Sequence, residues 1–269
     1  MSDVPNDRVA ALLREVGATV IMPRFRALKS GEVEEKSPDD FVTIADREAE
    51  AALIPGLQAI VPSSTVIGEE MCHGRPELLK DLHTIDDPLW FVDPIDGTGN
   101  FMAGRTTFAI MVALRRRRQT VGAWILRPVD GVLAAAERGA GAFIDGRRMT
   151  APRAGKDAAS LRGTILTKFL PPELRQRVER NSAGLGEVVP ATMCAGDDYP
   201  TVARGGLDFI TYWRGLPWDH IPGALFLNEA GGSVTRYDGS EFQPDGRLGV
   251  LAAANPEIAG AVRRTLELD

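Results

Sequence analysis

Apolar side chains near the start of the chain recur with the period of a helix. They stand three or four positions apart between residues 7 and 28, at Val9, Leu12, Leu13, Val16, Val20 and Ile21. This spacing places them on one face and predicts a first helix over 7–28 with that face buried. The next segment, 31–40, is polar and charged, and it predicts a mobile loop.

A capping signal predicts the start of a second helix. Thr43 has the character of an N-cap residue, and Asp46 stands three positions later, ahead of an apolar pattern that reaches Ile60. Helix capping alone is one explanation for Asp46. A role in a functional site is the other.

Short apolar runs then alternate with turns and predict strands. Five such runs precede residue 150, at 65–68, 89–92, 107–114, 120–126 and 132–137. Glycines and charged turns separate the later runs, which indicates an antiparallel meander. The polar stretch 150–160, with Pro152 and Gly155, is the best candidate boundary, and it predicts two halves at 1–153 and 154–269.

The second half interleaves predicted strands and helices. Strands are expected near 164–167, 209–213, 233–235 and 249–253, and helices near 172–181, 199–204, 217–230 and from Pro256 onward. Alternation of this kind indicates a protein built from layers of helix and sheet.

Composition and charge narrow the class of protein. The chain has 269 residues, 44% of them hydrophobic, and a net charge of −6, which is not the charge of a general nucleic-acid binder. Four consecutive arginines at 115–118 follow an apolar strand, so a solvated turn is favoured over an anion-binding patch. The two cysteines lack paired spacing, which favours free thiols over a disulfide or a zinc site.

No targeting or membrane signal is visible. The first five residues lack a basic region followed by an apolar core, and no apolar run approaches the length that crosses a bilayer. We therefore expect a soluble cytoplasmic protein that binds neither membranes nor nucleic acid.

Two carboxylates three positions apart follow one of these strands. Asp93 and Asp96 come after the apolar run 89–92, Pro94 stiffens the turn between them, and Gly97 lets the backbone bend. Neighbouring buried acids repel each other unless a cation compensates them, and hard oxygen ligands suit Mg²⁺. The pattern predicts half of a magnesium-phosphate site, although a solvated acidic turn has the same pattern.

Other acids stand at the edges of predicted elements. Glu69 ends the strand at 65–68, Asp219 opens the helix at 217–230, and Asp46 opens the second helix. With these segments in this order, nearly the whole chain resembles the inositol monophosphatase family, within the group that includes fructose-1,6-bisphosphatase. The resemblance implies an α+β protein with a five-layer αβαβα sandwich, a homodimer, and inhibition by Li⁺.

The resemblance also implies a set of metal ligands. Glu69, Asp93 and the carbonyl of Ile95 would hold one Mg²⁺, Asp93, Asp96 and Asp219 a second, and a weaker third ion would lie near Glu69. Most of these ligands fall in the N-terminal half, while the C-terminal half contributes Asp219 and substrate contacts.

Catalytic roles follow from the same resemblance. Thr98 and Asp46 match the pair that orients the metal-activated water and receives its proton, and Glu69 completes the catalytic set. Backbone N–H groups of Gly97, Thr98 and Gly99 would seat the phosphate oxygens.

Three departures from the family pattern concern the substrate. Gly99 stands where a second threonine is common, and Tyr212, seven residues before Asp219, replaces a glutamate that reaches a ring hydroxyl. The segment 194–199 carries Asp197 and Asp198 where a small uncharged turn is usual, and these acids either bind substrate hydroxyls or cap the next helix. Tyr212 and Arg214 would contact a larger or more anionic leaving group.

Several polar residues keep two interpretations. Lys36 either approaches substrate phosphate or a third ion, or is solvated. His73 and His83 are expected at the surface, and Glu70 outside the ligand set. His220 either faces the site or is structural.

The leading hypothesis is Mg²⁺-dependent hydrolysis of inositol monophosphate or a related sugar or polyol phosphate. Alternatives are the hydrolysis of a 3′-phosphoadenosine nucleotide or histidinol phosphate, and a regulatory binding protein of the same family.

Overall fold

The computed structural model describes residues 4–37, 40–79, 82 and 84–268. Its α-helices are α1 (Asn6–Val16), α2 (Ile44–Ile60), α3 (Glu69–Gly74), α4 (Thr98–Met102), α5 (Pro172–Asn181), α6 (Ala195–Ala203), α7 (Pro217–Glu229) and α8 (Pro256–Leu266). Its strands are β1 (Val33–Ser37), β2 (Asp40–Thr43), β3 (Thr65–Gly68), β4 (Leu89–Asp96), β5 (Ala109–Arg116), β6 (Gln119–Leu126), β7 (Leu133–Glu137), β8 (Gly141–Ile144), β9 (Arg147–Met149), β10 (Arg162–Ile165), β11 (Glu187–Val188), β12 (Phe209–Tyr212), β13 (Ser233–Arg236) and β14 (Val250–Ala253).

The larger sheet lies in the first part of the chain. Its order within the described residues is β3-β4-β5-β6-β7-β8-β9, with β3 parallel to β4 and every later pair antiparallel. The predicted meander is confirmed. It continues through β8 and β9, which the apolar pattern did not predict because both strands are short and β9 is mostly arginine.

The smaller sheet has a mixed topology. Its order is β11-β10-β12-β14-β13, in which β10 runs parallel to both of its neighbours and the other pairs are antiparallel. All of these strands come from residues after 160. Strand β11 was not predicted, since two exposed residues carry no apolar pattern.

Helices cover both sheets and fill the space between them. Helices α1 and α2 pack on one face of the larger sheet, where Leu13, Leu53 and Trp90 join one buried cluster. Helix α7 contacts β4, β5, β6 and β7 on one side and β13 on the other, with α6 beside it. Helices α5 and α8 lie together, and α8 contacts β12 and β14. The predicted αβαβα sandwich is confirmed.

Two predicted boundaries are corrected at the N-terminus. Helix α1 ends at Val16 and continues as a π-helical turn (Gly17–Ile21) and a 3₁₀ turn (Met22–Arg24), where Pro23 lacks the N–H that would extend an α-helix further. The predicted loop 31–40 holds most of an antiparallel hairpin formed by β1 and β2. Its polar composition reflects exposure of β1, whose residues are almost all at the surface.

The solvated turn favoured for the arginine run at 115–118 is confirmed for Arg117 and Arg118 but is wrong for Arg115. Arg115 is buried at the end of β5, where Nε donates to Asp87 Oδ1 at 2.7 Å and Nη1 donates to the Leu82 carbonyl at 3.0 Å. Arg117 and Arg118 form the turn into β6 with positive φ. The run is therefore no continuous basic patch.

The division into halves at 1–153 and 154–269 remains a prediction. Strands of the larger sheet end at Met149 and those of the smaller sheet begin at Arg162, yet α7 packs on both. No helix in the described ranges is long and apolar enough to cross a membrane.

Candidate active site

The site begins with an irregularity at the end of β4. Pairing between β4 and β5 shifts register between Asp93, which faces Met111, and Asp96, which faces Ala109. Pro94 cannot donate a ladder hydrogen bond, so a bulge is favourable there. The bulge breaks the alternation that would otherwise send side chains three positions apart to opposite faces of the sheet. Both carboxylates thus line the same cleft.

The turn after β4 depends on glycine. Gly97 has φ of +88° and precedes α4, and a Cβ there would lie 3.0 Å from the Thr107 carbonyl oxygen. Only glycine adopts this conformation without strain. The turn points Thr98 back toward β4 and α2, with its Oγ1 3.0 Å from both Asp46 Oδ1 and the Ile95 carbonyl oxygen.

Asp46 serves the helix and faces the site at once. Its Oδ2 accepts from Thr43 N at 2.8 Å and from Thr43 Oγ1 at 2.6 Å, which completes the predicted capping box of α2. Its Oδ1 accepts from Thr98. Burial raises the pKa of Asp46 to about 7. The two interpretations of Asp46 are therefore compatible in the structure.

Lys36 reaches the site from the β1–β2 hairpin. Its Nζ lies 2.9 Å from Glu69 Oε1 and 2.6 Å from Glu70 Oε1, and its side chain is 4% exposed. Burial opposes the charged form, but the two carboxylates outweigh it and raise the pKa of Lys36. A solvated Lys36 is ruled out here, and Glu70 is an ion-pair partner.

Glu50 supports this corner and was missed by the sequence reasoning. Its carboxylate accepts from the N–H groups of Glu70 and Met71 at 2.9 Å each, and so caps the start of α3. Burial raises the pKa of Glu50 to about 7. The available signal was an acid on the same face of α2 as the buried Leu53.

The remaining acid comes from the first turn of α7. Asp219 lines the same cleft as Glu69, Asp93 and Asp96. Burial, followed by repulsion from neighbouring carboxylates, raises the pKa of Asp93 and of Asp219 well above the usual range. Burial raises the pKa of Asp96 to about 7. The four acids thus face one another at a cost that bound cations would remove.

This donor set fits Mg²⁺ in its chemistry. The cleft offers several carboxylate oxygens, the ligands that hard divalent cations prefer. In the part of the chain that the structure describes, no three His, Cys, Asp or Glu side chains already surround a single metal position. Glu69 is held by Lys36, and Asp93 Oδ1 accepts from Ile95 N at 2.9 Å. Each of these contacts involves one oxygen of its carboxylate, and an ionised carboxylate has a second oxygen that can bind a cation.

The cleft measures about 430 Å³. Besides the acids, its lining includes Gly97, Thr98 and Gly99 and a more exposed rim. We define the rim as the side chains of Asp40, Phe41, Arg105, Lys168, Phe169, Met193 and Arg214.

The first turn of α6 closes the cleft beside Asp96. Gly196 N donates to Asp96 Oδ2 at 2.6 Å. A Cβ on Gly196 would lie 2.6 Å from the Ala109 Cβ, so this close approach requires a glycine. Asp96 is in this way fixed by backbone from the second half of the chain.

Asp197 does not line the cleft, and the structure does not support the substrate contact predicted for it. Its Oδ1 accepts from Arg127 Nη1 at 2.9 Å on the other side of α6. Asp198 is buried instead, where it accepts from Thr192 Oγ1 at 2.7 Å and from the Tyr212 hydroxyl at 2.9 Å. Neither acid caps α6 through its side chain.

Tyr212 and Arg214 both line the cleft but differ in availability. The hydroxyl of Tyr212 is committed to Asp198, so only its ring faces the cleft. Arg214 is more exposed, with its guanidinium 3.8 Å from the centroid of the Phe169 ring and Nη1 3.1 Å from Asp40 Oδ2. The sequence reasoning missed Phe169, Lys168 and Arg105 as cleft residues.

His220 lines the cleft, but both of its ring nitrogens are engaged by the protein, which gives it a structural role. Its Nδ1 lies 3.0 Å from the Tyr199 hydroxyl and its Nε2 2.9 Å from the Arg214 carbonyl oxygen. Burial lowers the pKa of His220 to about 4, so the ring is neutral near pH 7. His73 is exposed as predicted, and His83 lies outside the described residues.

Comparisons with known proteins agree with this architecture. The model of the inositol monophosphatase family matches residues 6–267. An inositol-1-monophosphatase from Rhizobium meliloti is 35% identical over 253 residues, covering 90% of this chain and 89% of that protein. The Nus factor SuhB of Salmonella typhimurium is 30% identical over 260 residues, with 94% and 92% covered.

Solved structures show the same fold. The extragenic suppressor protein suhB from Bartonella henselae superposes with a TM-score of 0.84 at 25% identity, covering 97% of this chain and 98% of that one. An IMPase/NADP phosphatase determined with Mg²⁺ and phosphate has a TM-score of 0.82 at 20% identity, with 98% and 95% covered. This chain belongs to the inositol monophosphatase family, a family of metal-dependent phosphatases.

Proposed function

We propose that this protein hydrolyses a small phosphate monoester, such as inositol monophosphate or a related sugar or polyol phosphate, in a Mg²⁺-dependent reaction. The observation that carries the proposal is the meeting of Glu69, Asp93, Asp96 and Asp219 in one cleft beside the Thr98–Asp46 pair. A phosphate dianion would be repelled by these acids unless cations neutralised them.

We assign the metal ligands to this acid set. Glu69, Asp93 and the carbonyl of Ile95 would hold one ion, and Asp93, Asp96 and Asp219 a second, with a weaker third ion near Glu69. When bound, Mg²⁺ would neutralise the phosphate, lower the pKa of an attacking water and stabilise the leaving oxygen.

Thr98 and Asp46 would position that water and take its proton. With its hydrogen directed at Asp46 Oδ1, the Thr98 hydroxyl presents lone pairs toward the cleft and accepts from a water there. Because the pKa of Asp46 is about 7, its carboxylate can take up a proton near neutral pH and release it again. Glu69, across the cleft, would help to orient the same water.

The turn at 97–99 would seat the phosphate. The first bond within α4 is donated by Asn100 N to the Gly97 carbonyl at 2.8 Å, so the N–H groups of Gly97, Thr98 and Gly99 precede the helical bonding pattern. Gly99 has open space above its Cα, where a side chain would narrow the approach.

Phosphate release from a panel of esters tests this function. The panel contains inositol 1-phosphate, sugar and polyol phosphates, a 3′-phosphoadenosine nucleotide and histidinol phosphate, each with Mg²⁺ and with EDTA. We expect Mg²⁺-dependent turnover that Asp93→Asn lowers at least about a thousandfold. The exposed control Asp7→Asn keeps wild-type turnover. Equal turnover with EDTA, or an unaffected Asp93→Asn protein, would refute the proposal.

A second candidate is a regulatory role that does not need catalysis. It is favoured by the relatives named Nus factor SuhB, which match over most of this chain. Because Arg115 is buried, the arginine run 115–118 provides no continuous basic patch for such a role. If Asp93→Asn retains the full cellular effect of the wild-type gene, the regulatory role is the relevant one.

We also propose a cytoplasmic homodimer that is inhibited by Li⁺. Light scattering of the purified protein tests the assembly, and titration of turnover with millimolar Li⁺ tests the inhibition. A monomer at all concentrations, or unchanged turnover, would contradict the respective proposal.

A further inference from the structure

Asp198 is a buried acid that the proposed hydrolysis does not use. It lies in the first turn of α6, is 2% exposed, and does not itself line the cleft. Its Oδ1 accepts from Thr192 Oγ1 at 2.7 Å, and its Oδ2 accepts from the Tyr212 hydroxyl at 2.9 Å. Because a buried carboxylate is stable only with donors of this kind, the three side chains hold one another in place.

Two departures from the family pattern meet in this contact. Asp198 belongs to the segment 194–199, where a small uncharged turn is usual, and Tyr212 stands in place of a glutamate. The carboxylate lies on α6 and the hydroxyl on β12, so their hydrogen bond joins two elements beside the cleft. The acid that would face the cleft at 212 is thus absent, and an acid behind the cleft wall holds the tyrosine that replaces it.

The segment 192–196 connects Asp198 to Asp96. Thr192 Oγ1, which donates to Asp198, also accepts from the N–H group two positions later at 3.1 Å and so shapes the turn into α6. At the end of this segment, Gly196 N donates to Asp96 Oδ2 at 2.6 Å. The orientation of the Asp96 carboxylate therefore depends on a segment that Asp198 holds.

Asn100 supports the same segment from the other side. It is 4% exposed, and its Nδ2 donates to the carbonyl groups of Thr107 and Thr192 at 2.8 Å each. Its own N–H donates to the Gly97 carbonyl at 2.8 Å. The backbone of Thr192 is thus held by Asn100 and its hydroxyl by Asp198, so the turn at Gly97 keeps its support when Asp198 is removed.

We propose that Asp198 is a positioning residue, which holds Asp96 at one of the two proposed Mg²⁺ positions through the segment 192–196. The inference rests on the proposed function, because Asp96 is a metal ligand only in that function. Asp198 would contact neither substrate nor metal. Without it, the Asp96 carboxylate would lose its fixed donor, and repulsion from the neighbouring acids would turn it away from them. Loss of such a supporting contact lowers the affinity for the metal.

Calorimetric titration of the purified protein with Mg²⁺, in the absence of any ester, tests the proposal. We expect Asp198→Ala to raise the Kd for Mg²⁺ about tenfold. The matched control is Asp197→Ala, which removes the neighbouring acid of the same helical turn. Asp197 is turned toward Arg127 and outside the cleft, so the control should keep the wild-type Kd.

Milder variants separate positioning from folding. Asp198→Asn can still accept from Thr192 and can donate to the Tyr212 oxygen, so we expect its Kd to stay within about threefold of wild type. Thr192→Val breaks the link toward Asp96 and should raise the Kd as Asp198→Ala does. Tyr212→Phe keeps the ring in the cleft and should have a smaller effect than either. Melting curves show whether each variant is folded at the titration temperature.

Steady-state kinetics supplies a second measurement. With the ester that turns over best, we expect the Mg²⁺ concentration for half-maximal turnover of Asp198→Ala to rise by the same factor as the Kd. The KM for the ester at saturating Mg²⁺ should change little, because Asn100 still holds the Thr192 carbonyl. A purely structural role would lower the melting temperature and leave both constants unchanged.

The outcomes distinguish this inference from the function on which it rests. Equal Kd values for folded Asp198→Ala and Asp197→Ala would overturn the positioning role, whatever the fall in melting temperature. If Asp198→Ala does not fold, the comparison of Thr192→Val with Asp197→Ala decides in the same way. A wild-type protein that binds no Mg²⁺ would overturn both the function and the inference. Mg²⁺ binding that depends on Asp198, without turnover of any ester, would overturn the hydrolysis alone.

Discussion

Single residues in this site carry two duties at once. Asp46 closes a capping box with one oxygen and holds Thr98 with the other, so the start of α2 and the orientation of Thr98 are fixed by the same carboxylate. Asp93 and Asp96 are both held by backbone N–H groups, from Ile95 and Gly196. Local hydrogen bonds thus preorganise side chains whose mutual repulsion would otherwise push them apart.

Thr98 offers a direct test of this arrangement. We expect Thr98→Val to lower kcat about a hundredfold with little change in KM, because the hydroxyl that links water and Asp46 is lost while substrate contacts remain. Steady-state kinetics on the best ester measures both constants. Thr98→Ser keeps the hydroxyl and should retain most of the activity. A kcat for Thr98→Val equal to that of Thr98→Ser would contradict the role.

Met193 is a second residue of interest because its backbone is strained. It has φ of +60° at the rim of the cleft, a conformation that costs a non-glycine residue roughly 1–2 kcal/mol. We expect Met193→Gly to raise the free energy of unfolding by about 0.5–1 kcal/mol, after the entropy cost of glycine. Met193→Ala keeps a Cβ and should bring no such gain. Urea unfolding of wild type, Met193→Gly and Met193→Ala measures the three free energies of unfolding.

At the scale of elements, the β1–β2 hairpin is tied to the cleft at two points by three ion pairs. Lys36 on β1 contacts Glu69 and Glu70 of α3, and Asp40 on β2 contacts Arg214 after β12. The hairpin thus bridges segments that are far apart in the sequence. Charge attaches β1, which is almost entirely exposed, whereas Val42 and Thr43 of β2 are buried.

Removing the first of these ties should destabilise the metal-free protein. Lys36→Met leaves Glu69 and Glu70 without their cation in a largely buried place, and we expect a loss of about 1–3 kcal/mol in the free energy of unfolding. Thermal unfolding in EDTA measures it. The exposed Lys29→Met is the control, and an equal loss in both variants would argue against the ion pair. Added Mg²⁺ should recover more stability for Lys36→Met than for wild type, since the ion replaces the missing charge.

At the scale of the whole molecule, the two sheets and the helices between them bring the four acids of the cleft together. Glu69 follows β3, Asp93 and Asp96 end β4, and Asp219 opens α7. Each acid lies at the end of a regular element with a buried interior. The free energy gained by burying these interiors offsets the repulsion between the carboxylates. That cost makes stability depend on pH and on divalent cations.

Stability of the metal-free protein should fall as pH rises from 6.5 to 8. Burial raises the pKa of Asp46, Glu50 and Asp96 to about 7, so the folded state binds more protons than the unfolded state in this window. By linkage, unfolding then becomes easier with increasing pH, and the effect levels off above the folded pKa values. Below 6.5 His220, whose pKa burial lowers to about 4, acts in the opposite direction.

Melting temperatures in EDTA and in Mg²⁺ check this dependence. We expect a lower melting temperature at pH 8 than at pH 6.5 in EDTA, and a smaller or reversed difference in Mg²⁺, because bound ions favour the ionised carboxylates. A metal-free protein that gains stability between pH 6.5 and 8 would contradict the buried-acid cluster.

Much of the fold could be predicted because its signals are local. The capping box at Thr43, the apolar run of β4 and the proline and glycine around Asp93 and Asp96 depend on neighbouring residues alone. The hairpin at β1–β2 and the strands β9 and β11 escaped prediction because they are short and polar. Their strand geometry comes from pairing with other segments, which an apolar pattern does not record.

Residue type and spacing are local properties of the chain, and they were enough to predict which acids line the cleft and in which order. The partners of these acids could not be predicted in the same way, because they come from other parts of the fold. Lys36 meets Glu69, Glu50 caps α3, Asp197 turns to Arg127, and three cations meet above the cleft. The physical reason is that a side chain's charge state and contacts depend on packing between segments distant in sequence, whereas local spacing specifies only the element that carries it.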